Sequence, residues 1–358
     1  MTGDAFTHES LPGRVVFGAG RVTEIASEVD RLDASRVLLI AGGPAHADLL
    51  ESLLGGTVAD TIVGAPMHVP VAAAEDARER ARQAGASCVV AVGGGSSTGL
   101  AKAVALATGL PIVAVPTTYA GSEMTPIWGL TDGDVKTTGR DLAALPRTVV
   151  YDPDLTRSLP ARLSAASGLN AIAHCVEAMW GPAANPLVAA VAEEGIRAMA
   201  LALPAVVRDP EDDAARALAL RGAWLGGLSL ASAGTALHHK LCHVLGGMGL
   251  PHAETHAIVL PYVTAFLAGS APDAAARVAR AMDADDGAGA LYDLRAALGL
   301  PAGLRDVGLQ RSQLARAVEL AVAVAPPEPR RPSAVELAEL LDLAFDGAPL
   351  AAGAALWA

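Results

Sequence analysis

Five of the nine histidines in the chain lie between residues 236 and 261, namely His238, His239, His243, His252 and His256. His239 and His243 are four residues apart, so a helix here places both imidazoles on one face. The Gly246-Gly247 pair and Pro251 predict that this helix ends and that the chain turns, which can bring His252 from the following loop to the same point. Two helical histidines and a third from a loop can bind a metal ion or perform acid–base chemistry. The alternative is a solvated, histidine-rich helix end.

A glycine-rich segment follows the apolar run Cys88 to Val92 and reads Gly93-Gly94-Gly95-Ser96-Ser97-Thr98-Gly99. Consecutive glycines let backbone N–H groups converge on an oxyanion, and the N-terminus of a following helix adds positive potential. The segment therefore predicts a phosphate cradle, with a tight strand-to-helix turn as the alternative. Its spacing is neither that of a Rossmann dinucleotide motif nor that of a Walker loop.

A second polar loop carries Thr117, Thr118 and Ser122 after the apolar run at residues 111–115. Hydroxyls at the carboxyl end of a parallel strand are placed to reach ribose or phosphate, although threonine and serine also cap ordinary helices. The only lysines of the chain are Lys102, Lys136 and Lys240, and each lies close in sequence to one of these polar segments. Their positions support a site without defining it.

The chain is expected to contain two domains, because strand and helix signals alternate up to about residue 152 and only helical signals follow. The predicted fold is an α/β domain with a parallel, doubly wound sheet over residues 1–155, and an all-α domain over residues 156–358. A ligand cleft is expected between them. The predicted strands lie at 14–17, 36–41, 61–63, 88–92 and 111–115. The predicted helices of the second domain lie near 164–180, 186–203, 213–237, 272–282, 287–298, 311–323 and 334–345.

Composition excludes several classes of protein. The 358 residues are 52% hydrophobic and 18% charged, which is typical of a folded globular chain, and the net charge of −12 argues against nucleic acid or an anionic membrane as a partner. Three scattered cysteines do not make a disulfide framework. The polar N-terminus has no signal-peptide core, and glycines and serines interrupt the apolar stretch at 222–237. We therefore expect a cytoplasmic protein.

Motifs along nearly the whole chain carry a family resemblance. They are Phe17-Gly18-Ala19-Gly20, the glycine loop, PTTYAGSEMTPIWGLT from Pro116, Lys136, YDPDLT from Tyr151, SGLNAIAHCVEA from Ser167, and the histidine segment. Together they resemble the iron-containing (group III) alcohol dehydrogenase superfamily, which shares its fold with dehydroquinate synthase. Within the superfamily the chain is most similar to the maleylacetate reductase branch.

The resemblance implies a site with one notable departure. In metal-dependent members an aspartate and three histidines hold the ion, and the matching positions here are Asn170, His174, His239 and His252. An amide in place of a carboxylate removes a negative charge and leaves a weak oxygen donor, so no resident metal is expected. A second departure is Gly99, where many relatives carry an acidic residue.

The resemblance also implies a reaction, in which NADH or NADPH reduces the activated C=C bond of the dianion maleylacetate to 3-oxoadipate. The expected cofactor-binding residues are Gly94, Gly95, Ser96, Ser97, Thr117, Thr118, Ser122 and Lys136. The expected catalytic residues are His243 as proton donor, with His239, His174, Lys240 and His252. A homodimer is the ordinary expectation. The rival interpretations are a metal-dependent alcohol or polyol dehydrogenase, a cyclase that uses NAD without net turnover, and a nucleotide-binding protein without catalysis.

Overall fold

The computed structural model describes residues 6–133 and 135–357 and divides the chain into two compact units. The first unit is Leu11–Leu159. The second begins at Pro160 and includes the described part of the segment that precedes Leu11. Each unit has its own secondary structure and its own buried residues, so each is described by itself.

A parallel sheet forms the centre of the first unit. The strands of this unit are β1 (Arg14–Phe17), β2 (Val37–Ala41), β3 (Val58–Val63), β4 (Cys88–Gly93), β5 (Ile112–Pro116), β6 (Ile127–Asp132), β7 (Val135–Arg140) and β8 (Thr148–Tyr151). Six of them form one sheet in the order β1-β8-β5-β4-β2-β3, with every pair parallel. The other two, β6 and β7, form an antiparallel hairpin.

Helices cover both faces of this sheet. They are α1 (Ile25–Asp30), α2 (Pro44–Leu54), α3 (Val71–Gln83) and α4 (Gly95–Thr108). Alternate residues of β2 point to opposite faces, so Leu39 packs with α1 and α2, whereas Leu38 packs with α3 and α4. Because both faces are covered, the central strands are uniformly apolar, as the sequence predicts for a doubly wound sheet.

The second unit is helical throughout its described length. Its α-helices are α5 (Ala161–Ala178), α6 (Pro186–Arg208), α7 (Asp213–Ala233), α8 (Leu237–Gly247), α9 (His252–Ala268), α10 (Pro272–Ala281), α11 (Gly287–Ala297), α12 (Leu314–Val324), α13 (Ala334–Asp346) and α14 (Ala354–Trp357). Helix α5 is central, and every residue from Ser164 to Ala178 is buried. No helix among the described residues is both long and apolar enough to cross a membrane.

Small residues let the helices around α5 approach closely. A Cβ atom added to Gly226 of α7 would lie 2.8 Å from the carbonyl oxygen of Ala171, and one added to Gly168 would lie 2.4 Å from Leu203 Cδ2. With only 3% aromatic residues, the chain fills this core by bringing backbones together instead of by inserting large rings.

The structure confirms the predicted fold class and differs from the sequence interpretation in several elements, among them the β6–β7 hairpin, which the sequence patterns do not predict. Strand β8, which the sequence patterns do not predict, lies between β1 and β5. The stretch expected as one helix over 213–237 ends at Ala233, because Gly234 adopts a left-handed φ of 73° there. His252, expected in a loop, is the first residue of α9. A capping box formed by Ser333 and Glu336 starts α13.

Candidate functional site

Six histidines from three helices of the second unit lie side by side, and we call them the histidine cluster. His174 comes from α5, His238, His239 and His243 come from α8, and His252 and His256 come from α9. The ring of His239 lies 4.8 Å from that of His174 and 4.6 Å from that of His256, between ring centroids. The rings of His239 and His243 are 6.1 Å apart, as expected for neighbours on one helix face. The structure thus brings together the expected catalytic histidines 174, 239, 243 and 252.

The cluster runs from the surface into the interior. His243 and His252 are exposed and stack with their centroids 6.3 Å apart, whereas His174, His239 and His256 are buried. Lys240, on the same helix as His239 and His243, is exposed. The alternative of a wholly solvated helix end therefore does not describe the inner part of the cluster.

Burial makes the inner histidines neutral. It holds the pKa of His174, of His239 and of His256 well below the usual imidazole range, and neighbouring imidazoles lower each pKa further. It lowers the pKa of His238 to about 4. An anion that reaches the inner part of this cluster therefore meets uncharged rings.

One buried carboxylate orients the cluster. Oε1 of Glu177, on α5, accepts a hydrogen bond from the backbone N–H of His238 at 2.6 Å. Its Oε2 accepts from the backbone N–H of His239 at 3.2 Å and from the ring Nδ1 of His239 at 2.6 Å. The first turn of α8 has no side-chain cap of its own, so Glu177 caps it from a neighbouring helix. Burial raises the pKa of Glu177, and these N–H donors oppose that rise.

Several buried polar atoms of the cluster have no hydrogen-bond partner among the described residues. They are Asn170 Oδ1, His174 Nδ1, His239 Nε2 and both ring nitrogens of His256. Buried polar atoms in native proteins are normally paired with protein, water or a ligand. These atoms therefore mark a place where a polar ligand would gain hydrogen bonds.

The glycine loop that is predicted to hold phosphate lies at the carboxyl ends of β2, β4 and β5 in the first unit. A cavity of about 320 Å³ is lined there by Gly42, Gly43, Pro44, Ala45, His46, Gly93, Gly94 and Thr117. The sheet order changes direction between β2 and β4, which is where open α/β sheets bind ligands. The N-termini of α2 and α4 begin at this cavity, and neither has a side-chain cap.

The glycine loop and the threonine loop meet at Gly94. A Cβ atom there would lie 3.1 Å from Thr118 Cγ2, so any larger residue would push into the threonine loop. Gly95, Ser96 and Ser97 form the first turn of α4. Ser97 is turned inward, because a Cβ atom on Gly93 would lie 2.5 Å from its Oγ.

The two lysines of the first unit, Lys102 and Lys136, differ in their surroundings. Lys136 is exposed on β7 and lies over Gly129 of the hairpin, where an added Cβ would be 3.4 Å from Lys136 Cε. Lys102 is fully buried, and its Nζ donates to the carbonyl oxygens of Ser122, Thr125 and Ile127 at 2.6–2.8 Å. Lys102 therefore anchors the loop that carries Ser122.

Gly99 is constrained by packing. A Cβ atom at this position would lie 2.8 Å from Val69 Cγ2. Val69 itself has a φ of 46°, which is rare for a β-branched residue. Gly99 thus accommodates a strained neighbour.

Sequence reasoning assigns no role to His238 and His256 of the cluster, or to Glu177 beside it. The two histidines are visible in the sequence only as members of a histidine-rich segment. The spacing of Asn170, His174 and Glu177 along α5 was the available signal for Glu177. Its partner on α8 could not be read from the sequence.

Comparisons with known proteins show the family to which the chain belongs. Residues 12–153 match the iron-containing alcohol dehydrogenase profile, and residues 164–345 match the C-terminal profile of the Fe-containing alcohol dehydrogenase family. The chain belongs to the iron-containing alcohol dehydrogenase family. A maleylacetate reductase from Sphingobium indicum is 49% identical over 96% of this chain and 98% of its own length.

Solved structures of this family have the same fold. Maleylacetate reductase from Rhizobium sp. strain MTP-10005 is 45% identical, with a TM-score of 0.93 over 97% of this chain and 99% of that one. An iron-containing alcohol dehydrogenase from Corynebacterium glutamicum ATCC 13032 is 46% identical, with a TM-score of 0.93 over 97% of this chain and 99% of that one. Family membership identifies the chain as an oxidoreductase.

One residue at the metal-ligand positions departs from the pattern that holds iron in the family. At the position of the acidic ligand stands Asn170, and the nearby carboxylate of Glu177 has both oxygens occupied by N–H donors. His238, His239 and His256 each place a possible ligand atom within 4.8 Å of the others. However, His238 Nε2 lies 3.0 Å from the carbonyl oxygen of His256 and donates to it, while its Nδ1 lies 3.4 Å from His239 Nδ1. The three do not direct three lone pairs to one point.

The neutral inner histidines predict acid sensitivity. The pKa of His238 falls from 6.5 unfolded to about 4 folded, so between these values the unfolded chain binds more protons and its free energy of unfolding falls as the pH falls. His256 contributes in the same direction. Replacing His256 with leucine should reduce this slope, by up to about 1.4 kcal/mol per pH unit. Urea unfolding of the wild type and the variant between pH 7 and pH 4 measures how the free energy of unfolding depends on pH. An unchanged dependence in the variant would contradict the conclusion that His256 is neutral in the folded protein.

The anchoring role of Lys102 predicts a large loss of stability on substitution. Lys102→Met leaves three buried or partly buried carbonyl oxygens without their donor and should lower the free energy of unfolding by about 2–4 kcal/mol. Lys136→Met is the matched control, because an exposed lysine should change the free energy by less than about 0.5 kcal/mol. Equal effects of the two substitutions in urea unfolding would show that Lys102 does not anchor the loop.

Proposed function

We propose that this protein reduces the conjugated C=C bond of maleylacetate to give 3-oxoadipate, with NADH or NADPH as the reductant. The observation that carries the proposal is the near-full-length identity to curated maleylacetate reductases, at 45–49% for the first three compared. The substitution at the metal-ligand position supports it. An enone is already activated toward hydride and needs a Lewis acid less than an unconjugated carbonyl does.

The first unit would bind the nicotinamide cofactor. The residues there fit a dinucleotide for two reasons. The glycines leave the cavity open, and helix N-termini without side-chain caps begin at the cavity, where they would attract phosphates. Gly94, Gly95 and Ser96 would hold the pyrophosphate, with Ser97 shaping the turn. Thr117, Thr118, Ser122 and Lys136 would complete the site. No acidic side chain lines the described cavity, which supports the use of either NADH or NADPH.

The second unit would bind the substrate. Maleylacetate carries a carboxylate at each end and a ketone conjugated with the alkene. The bound reduced nicotinamide supplies the hydride, and a proton must then reach the neighbouring carbon. His243, exposed at the outer end of the cluster, is the proposed proton donor. His174, His239 and His252 would contact the substrate oxygens, and Lys240 would add a fixed positive charge near a carboxylate.

A metal-dependent alcohol dehydrogenase is the second candidate, favoured by the family to which the chain belongs. It requires a divalent ion at Asn170, His174, His239 and His252. The amide at position 170 argues against it, because a neutral oxygen beside neutral imidazoles leaves the charge of the ion uncompensated.

We further propose a cytoplasmic homodimer without nucleic-acid or membrane partners, in line with the net charge of −12.

A steady-state assay tests the proposed function. Purified protein, treated with a chelator and analysed for metal content, should oxidise both NADH and NADPH in the presence of maleylacetate. Activity that is lost on chelation and restored by Zn²⁺ or Fe²⁺ would favour the second candidate. Absence of turnover with maleylacetate, together with metal-dependent oxidation of simple alcohols, would contradict the proposal.

The amide at position 170 leads to a further prediction. Asn170→Asp returns a carboxylate to the buried cluster beside His174 and should raise the affinity for Zn²⁺ by at least about tenfold, measured by calorimetry. Asn185→Asp is the matched control, since it introduces the same charge at the N-cap of α6 and preserves the cap. If both variants bind Zn²⁺ equally, position 170 is not part of a cryptic metal site.

A further inference from the structure

The threonine loop, residues 117–126 between β5 and β6, is supported from within the first unit by three buried polar side chains, which we call the loop clamp. They are Lys102 of α4, Glu123 of the loop itself and Tyr151 at the end of β8, and each is at most 1% exposed. Burying polar side chains costs free energy of desolvation. Three such residues that take no part in the proposed chemistry therefore require a role of their own.

Lys102 connects the two loops at the cofactor cavity through helix α4. The helix begins at Gly95 of the glycine loop, and Lys102 lies about two turns further along it. Its Nζ donates to the carbonyl oxygens of Ser122, Thr125 and Ile127 at 2.6–2.8 Å. A carbonyl oxygen only accepts, and an ammonium group has one hydrogen for each of the three. The far end of the threonine loop therefore has a fixed position relative to the glycine loop.

A second bond ties the middle of the threonine loop to the sheet. The hydroxyl of Tyr151 donates to Oε1 of Glu123 at 2.8 Å, and both residues are buried. A carboxyl group has oxygen lone pairs for a hydroxyl whether or not it is protonated, so this bond requires no assignment of charge. Ser122 and Met124, on either side of Glu123, are partly exposed. The bond that keeps Glu123 inward thus leaves Ser122 on the open side of the turn.

The start of the loop contacts the glycine loop directly, because the backbone N–H of Thr117 donates to the carbonyl oxygen of Gly93 at 2.9 Å. We propose that the loop clamp fixes the rest of the loop, so that Thr118 and Ser122 are in place before the nicotinamide cofactor binds. The three members of the clamp are then positioning residues for the cofactor. This inference rests on the proposed function, in which the hydroxyls of this loop help to bind the dinucleotide.

The clamp should affect cofactor affinity more than the chemical step. A loop that is already ordered does not have to be ordered at the expense of binding free energy. When a hydrogen bond of the clamp is lost, the loop occupies the binding position for only part of the time. The apparent Kd of the cofactor then rises by the inverse of that fraction.

The variant Tyr151→Phe tests this, because it removes the hydroxyl and keeps the ring. Fluorescence titration should show a Kd for NADH and for NADPH raised at least about fivefold. The kcat with maleylacetate at saturating cofactor should change by less than about twofold. Tyr262→Phe is the matched control, because its buried hydroxyl donates to the carbonyl oxygen of Ala348 at 2.7 Å in the second unit. It should lower stability and leave the Kd of both cofactors unchanged.

A second pair of variants has nearly the same shape as the wild type. Thr125→Val removes a buried hydroxyl 3.1 Å from Lys102 Nζ and should raise both Kd values at least about threefold. Its control is Thr264→Val, which removes a buried hydroxyl that donates to the carbonyl oxygen of Leu260 at 2.8 Å in α9. This control should leave cofactor binding unchanged.

An unchanged Kd in Tyr151→Phe would overturn the inference, and so would an equal rise in Tyr262→Phe. If Tyr151→Phe does not fold, the two threonine variants decide in the same way. The titrations need no maleylacetate. A wild-type protein that binds NADPH and does not turn over maleylacetate would therefore count against the proposed function and not against the loop clamp.

Discussion

The buried carboxylate of Glu177 is the constraint on which the histidine cluster depends. Placing a carboxylate at 0% exposure costs several kcal/mol unless donors replace its water, and here the donors are two backbone N–H groups of α8 and the ring of His239. The carboxylate can satisfy its own hydrogen bonds only when α8 starts at the right place and the ring has the right orientation. The carboxylate of Glu177 thus links the position of the first turn of α8 to the orientation of the His239 ring.

The first unit also contains a buried charged side chain that bonds to the backbone, but there the charge is positive. Lys102 is fully buried, and its ammonium group satisfies the carbonyl oxygens of the loop that contains Ser122. Burial lowers the pKa of Lys102 to about 7, while Glu123 nearby favours the charged form. In each unit, therefore, a buried charged side chain forms hydrogen bonds with backbone groups. These bonds hold the start of α8 in the second unit and the loop that contains Ser122 in the first.

The sequence predicts the parts of this structure that depend on local pattern. The apolar runs of β2, β4 and β5, the glycine loop after β4 and the shared helix face of His239 and His243 all follow from spacing. The sequence patterns do not predict strand β8, a segment of only four residues whose place in the sheet depends on pairing with β1 and β5. The roles of Glu177 and His256 depend on which helices pack against one another, and periodicity in a single chain carries no such information.

The inner histidines also set a limit on how stable this protein can become. His256 keeps two buried ring nitrogens without a protein partner, and each such atom costs free energy in the unliganded fold. An apolar side chain at that position would remove the cost and would also remove the polarity that a ligand needs. Laboratory selection for heat resistance alone would therefore be expected to replace these imidazoles first, so that a more stable protein would lose the polar atoms proposed to bind its ligand.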